Sequence, residues 1–422
     1  MKRSEGSSRT TMLETAYQTI QECEGGVTGP SGFMAAGIHC GIKKGKKDLA
    51  LIVSEIPAHA AAVFTTNIVA AAPVLVDREQ LNGSGSGTVS AIVVNSGNAN
   101  ACTGERGMQD AWRMVEATAA ALGAHRSQIL VSSTGVIGQY LPMEKVLKGI
   151  SAATGRLSAS GNMDAAEAIM TTDTFPKELG VSIEIGGTTV TIGGIAKGSG
   201  MIAPNMATML GFVTTDAAID PAVLRTALKQ ATDRSFNRIT VDGDTSTNDM
   251  VVVLANGAAG NRPLMTTNEP DYQLFYQALE HLLVRLAKMI VVDGEGATKL
   301  VEVCVAGAET EAEAAMAAKS VANSSLVKTA IHGEDANWGR ILAAVGYSGI
   351  SFDPAAVEIF FDDVPILRQH YDIDFSEEDA KRVLSGKEFT VTIDLHKGPA
   401  SASFWTCDLS KEYISINAHY RT

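Results

Sequence analysis

Residues 196–212 read Ala196-Lys197-Gly198-Ser199-Gly200-Met201-Ile202-Ala203-Pro204-Asn205-Met206-Ala207-Thr208-Met209-Leu210-Gly211-Phe212. The Gly-Ser-Gly and Pro-Asn punctuation separates two apolar runs, 189–196 and 209–213, and so predicts two strands joined by a turn. Thr208, Leu210 and Phe212 alternate with Met209, Gly211 and Val213, the period of a half-buried strand. Thr208 also has a chemical reading. A backbone cut immediately before it would free an α-amine of unperturbed pKa ~8 beside its own hydroxyl, so one event supplies both base and nucleophile. The two readings are compatible, because N-terminal nucleophiles commonly begin a strand. A phosphate-binding loop is rejected: the lysine at 197 precedes the glycines, no Gly-Lys-Ser/Thr follows, and no helical pattern comes after.

Working outward, 422 residues with 45% hydrophobic and only 5% aromatic content suit closely packed layers of strands and helices, an α/β architecture with more than one core. The formal net charge of −13 and the scattered basic residues exclude nucleic acid as an expected partner. The one basic run, 43–47, reads as decoration of a turn before a strand at 49–54. No stretch reaches the ~20 apolar residues of a membrane helix, and the first residues lack an apolar signal core. Five scattered cysteines do not form a disulfide framework and read as reduced thiols, so a cytoplasmic location is expected. No Cys-x-x-Cys or His-x-x-x-His spacing occurs, and no metal site is expected.

Residues 1–24 are polar and unpatterned, and are read as an extension. Short apolar runs at 49–54, 61–65, 74–76 and 89–94 predict strands, with the Gly/Ser-rich 83–87 joining the last two. Residues 95–105 hold Asn, Ser and Gly in a run that is either an elaborate ordered loop or a floppy one. A helix at 107–122 presents Met108, Ala111, Trp112, Val115, Ala119 and Leu122 on one face, with Thr103 as a nearby cap. The strand at 129–133 runs into Thr134-Gly135, where outward-facing N–H groups would form a nest and a candidate oxyanion hole. Asp220-Pro221 opens a helix to about 231, and a helix at 271–289 is expected to feed a strand at 290–292. Asp242 to Asp249 imitates a calcium loop but lacks its sixth-position glycine and twelfth-position glutamate, and reads as a polar turn before the strand 250–255. In Asp293-Gly294-Glu295-Gly296 the carboxylate between glycines reads as a solvated turn.

Five segments in order, 95–107, Ser132-Ser133-Thr134-Gly135-Val136-Ile137-Gly138, Met170-Thr171-Thr172-Asp173-Thr174-Phe175-Pro176-Lys177, 197–210 and Gly333-Glu334-Asp335-Ala336-Asn337-Trp338-Gly339-Arg340, resemble the ornithine acetyltransferase family over residues 25–422. The resemblance implies an arginine-biosynthesis enzyme that moves acetyl from N-acetylornithine to glutamate, with acetyl-CoA as a further candidate donor and no resident cofactor. It implies a two-domain layered α/β sandwich of the self-cleaving N-terminal-nucleophile type. The cut falls at Ala207-Thr208, giving an α chain 25–207 after the extension, and a β chain 208–422, assembled as α2β2.

On the same basis Thr208 is the nucleophile in a ping-pong mechanism, with Thr134 and the Gly135 N–H as the oxyanion hole. Substrate contacts are implied for Thr171, Lys197, Thr208, Glu295, Asn417 and Thr422, with Lys197 facing a carboxylate, Glu295 an amino group, and the C-terminus ordered against the site. The competing enzyme class is a self-cleaving amidohydrolase or aminopeptidase, in which water resolves the acyl-enzyme. A third class is a binding protein in which Thr208 is never freed.

Overall fold

The computed structural model describes residues 20–82, 88–203 and 209–419. In chain order the strands are β1 (Gln21–Cys23), β2 (Phe33–Ile38), β3 (Leu49–Phe64), β4 (Thr88–Asn98), β5 (Ile129–Val136), β6 (Lys177–Ile185), β7 (Thr188–Lys197), β8 (Leu210–Thr215), β9 (Ile239–Thr240), β10 (Met250–Ala255), β11 (Leu300–Ala308), β12 (Glu358–Phe361), β13 (Val364–Leu367), β14 (Glu388–Asp394) and β15 (Ala400–Cys407). The described residues fall into two compact units, one within Met1–Gly198, Asn205–Asn237 and Thr245–Ala287, the other within Ser199–Pro204, Arg238–Asp244 and Lys288–Thr422.

The first unit is built on a mixed sheet ordered β1-β6-β7-β8-β10-β3-β4-β5, with β2 beside the first half of β3. β8/β10 and β4/β5 are parallel and the remaining pairs antiparallel. Successive side chains of a strand point to opposite faces, and β3 uses both. Ala50 and Ile52 pack with Ala165 and Ile169 of helix Asn162–Ile169, whereas Leu49, Leu51 and Val53 pack with helices Gly104–Leu122 and Met143–Thr154. A sheet covered on both faces needs apolar residues in succession, which β3 and β4 supply. The long β3 changes partners midway. Its first half lies against β2 and its second against β10, with the β4 register breaking between Val53 and Ala58. Such an irregularity bends a strand and raises its twist.

The second unit carries a sheet ordered β13-β12-β14-β11-β15-β9. β11 alternates: Val301, Val303 and Val305 face helix Glu311–Asn323 through Ala314, Ala317, Ala318 and Val321, while Glu302 on the other face accepts from Trp405 Nε1 at 3.0 Å. The stripe of alanines lets helix and sheet approach closely.

Where local signals were strong the elements match. Asp220 caps helix Pro221–Asp233 by accepting from Ala222 N at 2.9 Å and Val223 N at 3.3 Å, with proline in the first turn. Helix Gly104–Leu122 buries Ala111, Val115 and Ala119 of the expected stripe and packs Met108, Trp112 and Leu122 half-buried against the same core, but Thr103 does not cap it: its hydroxyl donates to Asn100 Oδ1 at 2.8 Å instead. Two short runs differ. Residues 74–76 lie in helix Ala72–Asn82, with Val74 packed in one core cluster and Val76 in another, so three apolar residues in a row carried no usable period. The Gly/Ser stretch 83–87, outside the described residues, therefore follows a helix. Residues 290–292 are the end of helix Pro270–Val292, whose buried Leu279, Leu283, Leu286 and Ile290 continue one helical stripe through the β-branched residues. At the N-terminal end, residues 21–23 of the supposed extension pair with β6. Among the described residues no helix is long and apolar enough to cross a membrane.

Phe212 on β8 is fully buried among Ile52, Ile195, Val252 and Leu254. Phe212→Ala is expected to cost about 3–5 kcal/mol and lower the urea midpoint, whereas Leu326→Ala, at a side chain 61% exposed, should stay within about 0.5 kcal/mol.

Candidate active site

In the first unit the parallel pair β4/β5 sets Gly97 opposite Gly135, and the ladder then breaks at Asn98, which faces both Thr134 and Val136. Gly135 sits at φ +130°, and a methyl group there would collide with the Gly97 backbone, so the position is restricted to glycine. The loop beyond is ordered by its own amides. Asn95 Nδ2 donates to Asn98 O at 2.9 Å, the Ser133 hydroxyl to Asn95 Oδ1 at 2.6 Å, Asn100 N to Asn98 Oδ1 at 2.8 Å, and Asn100 Nδ2 to Gly107 O at 2.9 Å. Asn248 clamps it from another strand end, donating to Ala99 O at 2.6 Å and to Ser133 O at 2.8 Å. The backbone entering Thr134 and Gly135 is thus fixed in advance, the condition for an oxyanion site. Thr134 itself is 9% exposed.

Thr171 and Lys197 meet at a residue that the sequence reading quoted without assigning. Buried Asp173 accepts Thr171 N at 2.8 Å on Oδ2, and Gly198 N at 2.7 Å on Oδ1. Lys177 Nζ donates to Oδ1 at 2.8 Å, and Lys197 Nζ stands 3.9 Å from Oδ2. Burial alone would push this carboxyl up, but the ammonium groups of Lys197 and Lys177 outweigh it and hold Asp173 well below the usual carboxylate range. Asp249 is a contrasting case. Burial pushes its carboxyl well up, against the bond donated by Met209 N and the charge of Lys197.

In the second unit Glu295 is buried rather than solvated. Its N–H donates to Ser199 O at 3.0 Å, its carboxylate accepts Asn417 Nδ2 at 2.8 Å, and a methyl group on Gly200 would collide with that carboxylate. The turn is pinned at both ends. The Ser199 hydroxyl donates to Asp293 O, and the Ser410 hydroxyl, at the cap of helix Lys411–Ala418, to Gly296 O, each at 2.6 Å. Asp242 gathers Met201 N at 2.6 Å and Ile202 N at 2.8 Å, yet burial keeps its carboxyl above the usual range.

The structure thus joins Thr134 with Gly135, Thr171 with Lys197 through Asp173, and Glu295 with Asn417. Ala207, Thr208 and Thr422 lie outside the described residues. Asp173 was missed although Asp173 and Lys177 stand four apart; in the sequence that pair is indistinguishable from ordinary surface charges. Among the described residues no group of three or more His, Cys, Asp or Glu is placed to hold a metal. A cavity of about 320 Å³ in the first unit, lined by His59, Asp220 and Asn256 among others, is bordered by none of the candidate residues.

The described part of the candidate site is thus a glycine-rich strand end and a buried ion cluster carried by one mixed α/β sheet. Residues 34–422 match the model of the ArgJ family, and the chain belongs to that family. It is 57% identical to the arginine biosynthesis bifunctional protein ArgJ of Symbiobacterium thermophilum, over 94% of this chain and 99% of that one. It is 54% identical to the corresponding protein of Chlorobaculum tepidum, over 93% and 96%. A solved ornithine acetyltransferase of Mycobacterium tuberculosis, complexed with ornithine, is 43% identical with a TM-score of 0.41, over 45% of this chain and 100% of that one.

Asp173→Asn removes the carboxylate paired with the fully buried Lys177 ammonium, and a loss of about 3–5 kcal/mol is expected at neutral pH. The folded-state pKa of Asp173 is depressed, so its contribution is complete above the unfolded value of ~3.9 and fades as pH falls towards the folded one. The gap between wild type and variant, measured by denaturant titration, should therefore narrow only in strong acid.

Proposed function

We propose that this chain transfers the acetyl group of N2-acetylornithine to glutamate in arginine biosynthesis, through an acetyl ester on Thr208. Membership of the ArgJ family across residues 34–422 carries the reading. The Thr208 hydroxyl attacks the acetamide carbonyl while the freed α-amine takes its proton. The tetrahedral oxyanion is met by the Thr134 hydroxyl and Gly135 N–H. Collapse breaks the C–N bond, the α-ammonium returns its proton to the leaving amine, and ornithine departs. Glutamate's amine then attacks the ester, restoring the Thr208 hydroxyl. The threonine itself carries the acetyl group, so no resident cofactor is needed, and acetyl-CoA can load the same residue. Thr171, Lys197, Glu295, Asn417 and Thr422 are assigned to substrate, with Glu295 opposite an amino group.

Maturation follows from the same nucleophile: Thr208 attacks the Ala207 carbonyl, and the resulting ester is hydrolysed. Two features support lasting association of the products. β7 and β8, on either side of the cut, are neighbours in one sheet, and each product contributes to both compact units. We assign the mature protein an α2β2 assembly and a cytoplasmic location. The latter accords with five free cysteines among the described residues.

Purified protein should run as two bands, with a new N-terminus reading Thr-Met-Leu-Gly by Edman sequencing. Thr208→Ala should stay one inactive chain. Incubation with N-acetylornithine, with and without glutamate, tests the acceptor: transfer requires glutamate for rapid turnover, whereas equal rates would identify a hydrolase.

Loss of the Thr134 hydroxyl should act on the transition state, because an oxyanion donor is worth about 2.7–4 kcal/mol there. Thr134→Ala, assayed on fully matured protein, is expected to lower kcat by about a hundredfold or more with little change in KM. An unaltered kcat would remove Thr134 from the oxyanion role.

A further inference from the structure

The basic run at 43–47 does more than decorate a turn. Asp48, itself fully buried, accepts the backbone N–H groups of Cys40, Gly41, Ile42 and Lys43 at 2.6, 3.1, 2.7 and 2.9 Å. Its charge is thus met by backbone, with His39 Nδ1 also 3.3 Å away, and the turn is wound into one shape. That shape sends Lys43 across Gly97: a methyl group on Gly97 would lie 2.8 Å from Lys43 Cγ. Gly97 is the β4 partner of Gly135. The ammonium ends on the far side, donating to Met170 O at 2.9 Å, one residue before Thr171. Lys43 therefore spans the distance between the candidate oxyanion hole and the Asp173 cluster.

Charge balance gives this position a purpose. Lys43, Lys177 and Lys197 gather around Asp173, and the other carboxylate beside Lys43, Asp48, already has its charge met by backbone N–H groups, so positive charge is in excess here. Lys177 is sealed against Asp173, so the surplus resides on Lys197 and Lys43. An ammonium has three N–H donors, and among the described residues the Lys43 group gives one to Met170. N-acetylornithine brings one carboxylate and one ammonium; glutamate brings two carboxylates. We propose that Lys43 is a specificity-determining residue that receives the side-chain carboxylate of glutamate, an assignment that rests on the acetyl-transfer reading above. Burial pushes its ammonium down to about 8; Asp48 and Asp173 oppose that shift, and Lys46 and Lys197 reinforce it. A bound carboxylate favours the protonated form. The group is charged below about 8 and loses its charge as pH rises through that value.

The test compares glutamate with its neutral isostere glutamine as acceptor, using matured wild-type, Lys43→Met and Lys43→Arg enzymes with N-acetylornithine as donor. In wild type, KM for glutamate should rise above pH 8 more steeply than KM for N-acetylornithine. Lys43→Met should raise KM for glutamate about tenfold or more, the scale of one charge-assisted hydrogen bond, and collapse the glutamate-to-glutamine preference in kcat/KM. Lys43→Arg, charged at all accessible pH, should retain the preference and abolish the alkaline rise. A glutamate-to-glutamine ratio unchanged in Lys43→Met, or an equal loss towards donor and acceptor, overturns the assignment and leaves Lys43 as a brace for Met170. Wild-type enzyme that moves no acetyl group to glutamate would fail the acetyl-transfer reading instead, so the two failures are distinguishable.

Discussion

Asp173 holds one negative charge in a place from which water is almost excluded, and the surroundings are arranged around that fact. A carboxylate there is stable only because ammonium groups and backbone N–H donors surround it. In return it fixes two pieces of chain: the residue at 171, and the end of β7, where Lys197 is followed by the Gly198 N–H that begins the turn towards the proposed cut. Replacing the cluster with apolar groups could keep the packing. It would lose the directional bonds from Thr171 N, Gly198 N and Lys177 Nζ and the charge that faces Lys197.

The same logic of enclosure appears at Glu295 and Asp242 in the second unit, where carboxylates are held by backbone N–H or side-chain amide donors. Carboxylates kept from water by their partners are poor contributors to net stability but strong constraints on geometry, since each oxygen accepts only from certain directions. The first unit adds a steric constraint. Gly135 lets β5 approach β4 more closely than a side chain permits, and Gly97, also at positive φ, leaves room for the Lys43 side chain. Lys43 lies against Gly97, which links loop winding around Asp48 to the candidate oxyanion site.

The proposed cut at 207/208 falls between two strands, of which β8 is paired with β7 along its whole length, from Ile192 with Thr215 to Lys197 with Leu210. Breaking one peptide bond in the connection leaves that ladder and the burial of Phe212 intact. A maturation step can therefore create a new N-terminus without dismantling the fold. It also explains why processing products and compact units need not coincide, because the units follow packing and the products follow a single covalent bond.

What could be read in the chain alone was whatever local periodicity or local chemistry encodes. The strands of residues 188–197, 210–215 and 250–255, the Asp220-Pro221 helix start and the apolar stripe of Gly104–Leu122 all rest on neighbours within a few residues. The order of motifs also sufficed to place the chain in its family. Short apolar runs failed where the period was too brief or a longer helix absorbed it, as at 74–76 and 290–292. The burial and the partners of Asp173, Glu295 and Lys43 were decided by tertiary structure. Asp173 and Glu295 read as ordinary surface charges until partners distant in sequence bury them, and desolvation, which gives a charge its leverage, is a property of the assembled surroundings.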